Sequence, residues 1–101
     1  MARYRIMYWK EFPAQVKATD GEEVASVMLP DRFSKAIDAA AMAEGSIDSP
    51  TYLEGWDWGP EEERSGDARQ VADVVASELE AAYPKERLVE MIRTRKRKLS
   101  S

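Results

Sequence analysis

Apolar and polar residues alternate through the first third of the chain and then change to a helical period. In residues 3–10, Tyr4, Ile6 and Tyr8 fall on one side of an extended chain and Arg3, Arg5, Met7 and Trp9 on the other, which predicts a strand. Glu11-Phe12-Pro13 breaks the alternation and predicts a turn. The alternation resumes over 14–19, with Ala14, Val16 and Ala18 set against Gln15, Lys17 and Thr19. Asp20-Gly21 between alternating runs is a hairpin signal, and 22–29 return as a third strand with Ala25, Val27 and Leu29 on its apolar face. Three strands with short connections predict an antiparallel meander.

Pro30 and Asp31 suit the first turn of a helix, where a missing N–H costs nothing and an acidic group meets the positive end of the dipole. Phe33, Ala36, Ile37, Ala40 and Ala41 then form a stripe at helical spacing, and Gly45 is placed to end it. A loop over 46–50 leads to 51–58, Thr-Tyr-Leu-Glu-Gly-Trp-Asp-Trp, which reads as a fourth strand ended by Gly59-Pro60. Glu61-Glu62-Glu63 reads as a solvated acidic loop. Asp67 with Gln70 has the spacing of a capping box, and Val71, Val74, Val75, Leu79 and Ala82 supply the next helical stripe. Pro84 interrupts it, and Leu88, Met91 and Ile92 support a last helix. The expectation is a two-layer α+β domain of order β-β-β-α-β-α-α. An antiparallel sheet carries helices on one face and is at least partly open on the other. Residues 1–84 form the domain and 85–101 a C-terminal helix with a basic tail.

Composition narrows the chemistry. The 101 residues include no Cys and no His. That excludes disulfides, thiolate and imidazole metal sites, Ser-His-Asp triads and histidine bases. No GxGxxG or GxxxxGK[ST] string supports nucleotide binding. Asp57, Glu61, Glu62 and Glu63 are too irregularly spaced for an EF-hand and read as surface carboxylates. No catalytic residue, metal or cofactor is assigned.

The net charge of −4 is unevenly spread. Seven basic and two acidic residues in 85–101 give +5, leaving −9 on the remaining 84 residues. The acidic body argues against nucleic acid, although Arg93, Arg95, Lys96, Arg97 and Lys98 leave it open. These five also suit a helix C-terminus. No apolar run approaches a membrane span, and none of signal-peptide length follows Met1, so a bacterial-type cytoplasmic location is expected.

Three tryptophans in so short a chain are the more specific cue. On a strand over 51–58, Trp56 and Trp58 share a side with Tyr52, and Glu54 would face Arg3 or Arg5 across the sheet. The expected interaction surface is an open aromatic face bearing Met7, Trp9, Trp56 and Trp58; the alternative is that one or two of the tryptophans complete the core, a role that suits Trp56 equally well. The occupant of the face would be a protein partner, with a homodimer left open. An accessory enzyme or small-ligand site using Lys10, Glu11, Gln15 and Arg32 around the Trp9–Pro13 turn is the second reading, drawn from polar residues that concentrate in 8–16, 29–33 and 36–42, where structural needs alone would favour apolar ones.

Three strings resemble a known family: Tyr8-Trp9-Lys10-Glu11-Phe12-Pro13-Ala14-Gln15-Val16, Leu29-Pro30-Asp31-Arg32-Phe33 and Ala36-Ile37-Asp38-Ala39-Ala40-Ala41-Met42. Together they are similar to the bacterial virulence factor domain, found at the C-terminus of conserved virulence factor C-type proteins. The similarity runs over about 3–83. The resemblance implies a stand-alone relative of a domain that elsewhere accompanies HEAT-type repeats and an Nfu-type iron–sulfur scaffold. It therefore implies a partner linked to iron–sulfur or one-carbon metabolism. It carries over no catalytic residues.

Overall fold

The computed structural model describes residues 1–45 and 50–100, without the side chains of 51 and 95–100. The loop expected before Pro50 and the side chains of the basic tail beyond Thr94 lie outside the described residues. The elements are β1 (Ala2–Trp9), β2 (Phe12–Asp20), β3 (Glu23–Met28), α1 (Asp31–Glu44), α2 (Pro50–Glu54), β4 (Trp56–Trp58), β5 (Glu62–Arg64), α3 (Ala68–Ala82) and α4 (Lys85–Ser100). The α+β class and the antiparallel sheet are as expected. The order gains one helix and one strand.

The strands run β3-β2-β1-β4, and β5 pairs the other half of the same β1 edge that β4 occupies. The chain reverses from β1 to β2 at Lys10-Glu11, two residues earlier than the Pro13 break suggests, with Lys10 at φ 52. Pro13 lies inside β2 because the ladder slips beside it. Met7 opposes Gln15 and Tyr8 opposes Pro13, so Ala14 is bulged out. The next hairpin sets Val16 opposite Val27 and Ala18 opposite Ala25, matching apolar side chains across the strands.

One sheet face carries Ala2, Tyr4, Val16, Ala18 and Ala25, all buried, and α3 packs over β1, β2 and β3. α1 packs against β2 and α4, and Leu88 of α4 is buried with the core. The whole predicted α1 stripe is buried. Gly45 closes α1 in the left-handed region at φ 73, its N–H reaching the Ala41 and Met42 carbonyls. Both halves of the capping box before α3 form: Asp67 accepts from the Gln70 N–H at 2.8 Å and donates its own N–H to Gln70 at 3.1 Å. Of the α3 stripe, Val71 and Val75 are buried, but Val74 is 48% exposed and Ala82 also faces outward.

The expected fourth strand is the main correction. Its first half is helical, because Tyr52 turns inward to lie 5.9 Å from the Trp9 ring and the Trp9 indole donates to the Tyr52 carbonyl at 2.8 Å. That bond is the shorter of two the Tyr52 carbonyl accepts near the end of α2, the other coming from the Gly55 N–H at 3.3 Å. Glu54 is consequently an exposed helix residue and, among the described residues, makes no ion pair with an arginine. The acidic loop is the second correction. Glu62 and Glu63 join β5, where Glu62 accepts from the Tyr4 hydroxyl at 2.6 Å and Glu63 meets Arg3 at 3.4 Å. Arg64, 5.6 Å over the Tyr4 ring, pairs with Glu78 of α3 at 2.7 Å. An acidic strand is held at this edge because the Arg3 guanidinium and the Tyr4 phenol of β1 receive its carboxylates.

The Tyr4–Glu62 bond makes an alkaline prediction. Its hydrogen bond to Glu62, followed by burial, holds the Tyr4 phenol above the ordinary value of 10.0. The protonated phenol is thus the form the fold favours. The associated stability is complete below about pH 10 and falls as pH rises through the raised folded value. Tyr4→Phe is expected to cost about 1 kcal/mol at pH 7. It should also lessen the stability lost between neutral and alkaline pH, as measured by urea unfolding of both proteins. An unchanged alkaline loss in Tyr4→Phe would contradict the assignment.

Candidate functional site

Cross-strand register defines the second sheet face. Val24 opposes Thr19, Ser26 opposes Lys17 and Met28 opposes Gln15. Across β1, Thr19 opposes Arg3, Lys17 opposes Arg5 and Gln15 opposes Met7. Met7 in turn opposes Trp58, and Trp9 opposes Trp56 and Phe12. Residues opposed in an antiparallel ladder project to the same side, so these residues line one face.

The two ends of that face differ. At one end, Trp9 is 0% exposed, with the Phe12 ring 6.3 Å away and Tyr52 of α2 above it. The expectation of an exposed Trp9 is therefore corrected. The alternation assigned its side of the sheet properly, but α2 covers it. Trp56 is partly buried, edge-on to Tyr52 at 6.3 Å. At the other end, Met7 and Trp58 are partly exposed, while Met28 and Val24 are 69% and 58% exposed. Of the four residues expected to form the surface, Met7 and Trp58 keep an open aspect and Trp56 lies at its margin.

Beside Trp58 is a shallow cavity of about 190 Å³ lined by Arg3, Arg5, Lys17, Thr19 and Glu61 among others. Arg3 is shared with Glu61 at 4.0 Å and Glu63 at 3.4 Å. Arg5 and Lys17 have no carboxylate within ion-pair distance among the described residues. These cations were legible only as exposed alternation, and the hairpin register is the signal that would have put them opposite one another.

The polar residues near the first turn are tied to different elements. The Lys10 ammonium sits 2.8 Å from both carboxylate oxygens of Glu44 at the end of α1, and 5.0 Å over the Trp9 ring. Its backbone N–H donates to the Gly55 carbonyl at 2.8 Å. These contacts hold Lys10 in a left-handed conformation uncommon outside glycine. Glu11 is exposed at the turn, and Gln15 lies on the open face beside Met7. Arg32 donates to the Glu80 and Tyr83 carbonyls at 2.9 and 3.3 Å, closing the end of α3. Lys10 and Arg32 therefore each join α1 to another part of the fold.

Among the described residues, no group of three or more carboxylates is placed to hold a metal ion, and no helix is long and apolar enough to cross a membrane. No curated protein and no solved structure matches the chain. A family model described as virulence factor matches residues 7–92, from Met7 in β1 to Ile92 in α4. The match includes the turn that clips Lys10 to Glu44 and extends beyond Pro84 into the helix that packs on α1. The chain belongs to the virulence factor family.

Proposed function

We propose that the protein is a non-catalytic, cytoplasmic interaction module that docks a protein partner on the open end of the sheet face, with Met7 and Trp58 at the centre of contact. The observation that carries this reading is the placement of Trp58 and Met7, opposed in register and partly exposed, on a face whose far edge presents Met28 and Val24. Apolar side chains gathered on one uncovered face are characteristic of docking surfaces, and tryptophan is among the residues most often dominant in binding. α3 covers the opposite face, which leaves this one for a partner.

The test is capture of partners from native-cell extract by wild type and Trp58→Ala, alongside sedimentation of each purified protein. Wild type is expected to capture a partner or self-associate. Trp58→Ala should weaken either interaction by about 2 kcal/mol or more. Its urea midpoint should move much less than that of a core tryptophan variant. Equal capture and equal self-association by the two proteins would remove the docking reading.

A further inference from the structure

Arg5 and Lys17 stand directly opposite each other on β1 and β2. Like charges so placed destabilise a sheet, since their Cβ atoms are about 5 Å apart. Elsewhere on the strands and turns the cations are matched: Arg3 by Glu61 and Glu63, Lys10 by Glu44, Arg64 by Glu78. Among the described residues no carboxylate answers Arg5 or Lys17. Both are exposed and line the cavity beside Trp58, whose indole N–H also donates to no described group. Two cations without a carboxylate partner thus line a cavity that Trp58 also lines. Resting on the docking reading above, we infer that Arg5, Lys17 and Trp58 receive the carboxylates of a short acidic peptide segment of the partner, with an apolar residue of that segment against Met7 and Trp58.

Charge selects a peptide over a nucleic acid. Glu61 and Glu63 bound the basic strip on the β5 side, and the first 84 residues carry −9 overall. A continuous polyanion would meet these carboxylates, whereas a segment bearing two or three acidic side chains spans the strip alone.

The probe is the acetylated, amidated peptide Glu-Glu-Phe-Glu-Glu, titrated into the isotopically labelled full chain and followed by NMR. Its Gln-Gln-Phe-Gln-Gln counterpart and a twelve-nucleotide oligouridylate serve as comparisons. The acidic peptide is expected to shift Arg5, Lys17 and the Trp58 indole saturably, with affinity falling as salt rises. Arg5→Gln with Lys17→Gln should lower that affinity about tenfold, the sum of two partly exposed charge contacts. The same double variant should melt no lower than wild type, because it relieves a repulsion. Equal binding of the Glu and Gln peptides, absence of saturable shifts at these residues, or a melting temperature lowered by several degrees would each overturn the inference. Tighter binding of oligouridylate would overturn it in favour of a nucleic-acid platform. In the capture assay, loss with Trp58→Ala but retention with the double charge variant would leave docking standing and remove the acidic partner. Retention with Trp58→Ala removes docking itself.

Discussion

Trp9→Ala is expected to lower the free energy of unfolding by roughly 3–5 kcal/mol, the range for truncating a fully buried aromatic. Trp9 is 0% exposed and fills the space between Phe12 and Tyr52. Its removal leaves a cavity, breaks the indole N–H bond to the Tyr52 carbonyl, and takes away the ring beneath the Lys10 ammonium. Since small domains are stable by only about 5–15 kcal/mol, the variant should be marginal at 37 °C. Trp58→Ala, at a partly exposed position of the same sheet face, should cost well under half as much. Urea unfolding of the two variants measures both quantities. Similar losses from both would show that Trp58 is also core, and the docking surface would have to be sought elsewhere.

The contrast between these tryptophans shows what the amino-acid pattern could and could not reveal. Period-two alternation placed Trp9 on the same side as Met7, and the register agrees. Alternation reports which way a side chain points, but what lies over it depends on contacts far along the chain. Trp9 meets Tyr52 across 43 residues, and Tyr4 meets Glu62 across 58. Those two contacts account for the elements missed, α2 and β5, where an aromatic-rich run folds as helix and an acidic run as strand. α1 and α3 were legible almost to the residue, because Gly45 and the Asp67–Gln70 pair act within a single turn. At the candidate site, Met7 and Trp58 could be read from alternation. The unmatched Arg5–Lys17 pair could not, because its register depends on the bulge at Ala14.

Gly55 tests the covered end of the face from its other side. A Cβ built on Gly55 would lie 2.6 Å from the Trp9 Nε1 and 2.9 Å from Cε2, closer than packed atoms can approach. The indole cannot readily retreat, since it is buried and held at 2.8 Å by the Tyr52 carbonyl. Nor can the backbone of Gly55, whose carbonyl accepts from the Lys10 N–H at 2.8 Å. Gly55→Ala should therefore cost about 1–3 kcal/mol through overpacking. The cause is lack of space, in contrast to Gly45, which has nothing within 4 Å of its would-be Cβ but sits at φ 73. A double-mutant cycle separates the two kinds of requirement. In a Trp9→Phe background the smaller ring vacates the contested volume, and Gly55→Ala should lose at least half of its cost, a coupling of about 1 kcal/mol. Gly45→Ala should cost the same in either background. If Gly55→Ala is equally destabilising with Trp9 or Phe at position 9, the close approach of glycine to indole is not what fixes α2 over the sheet.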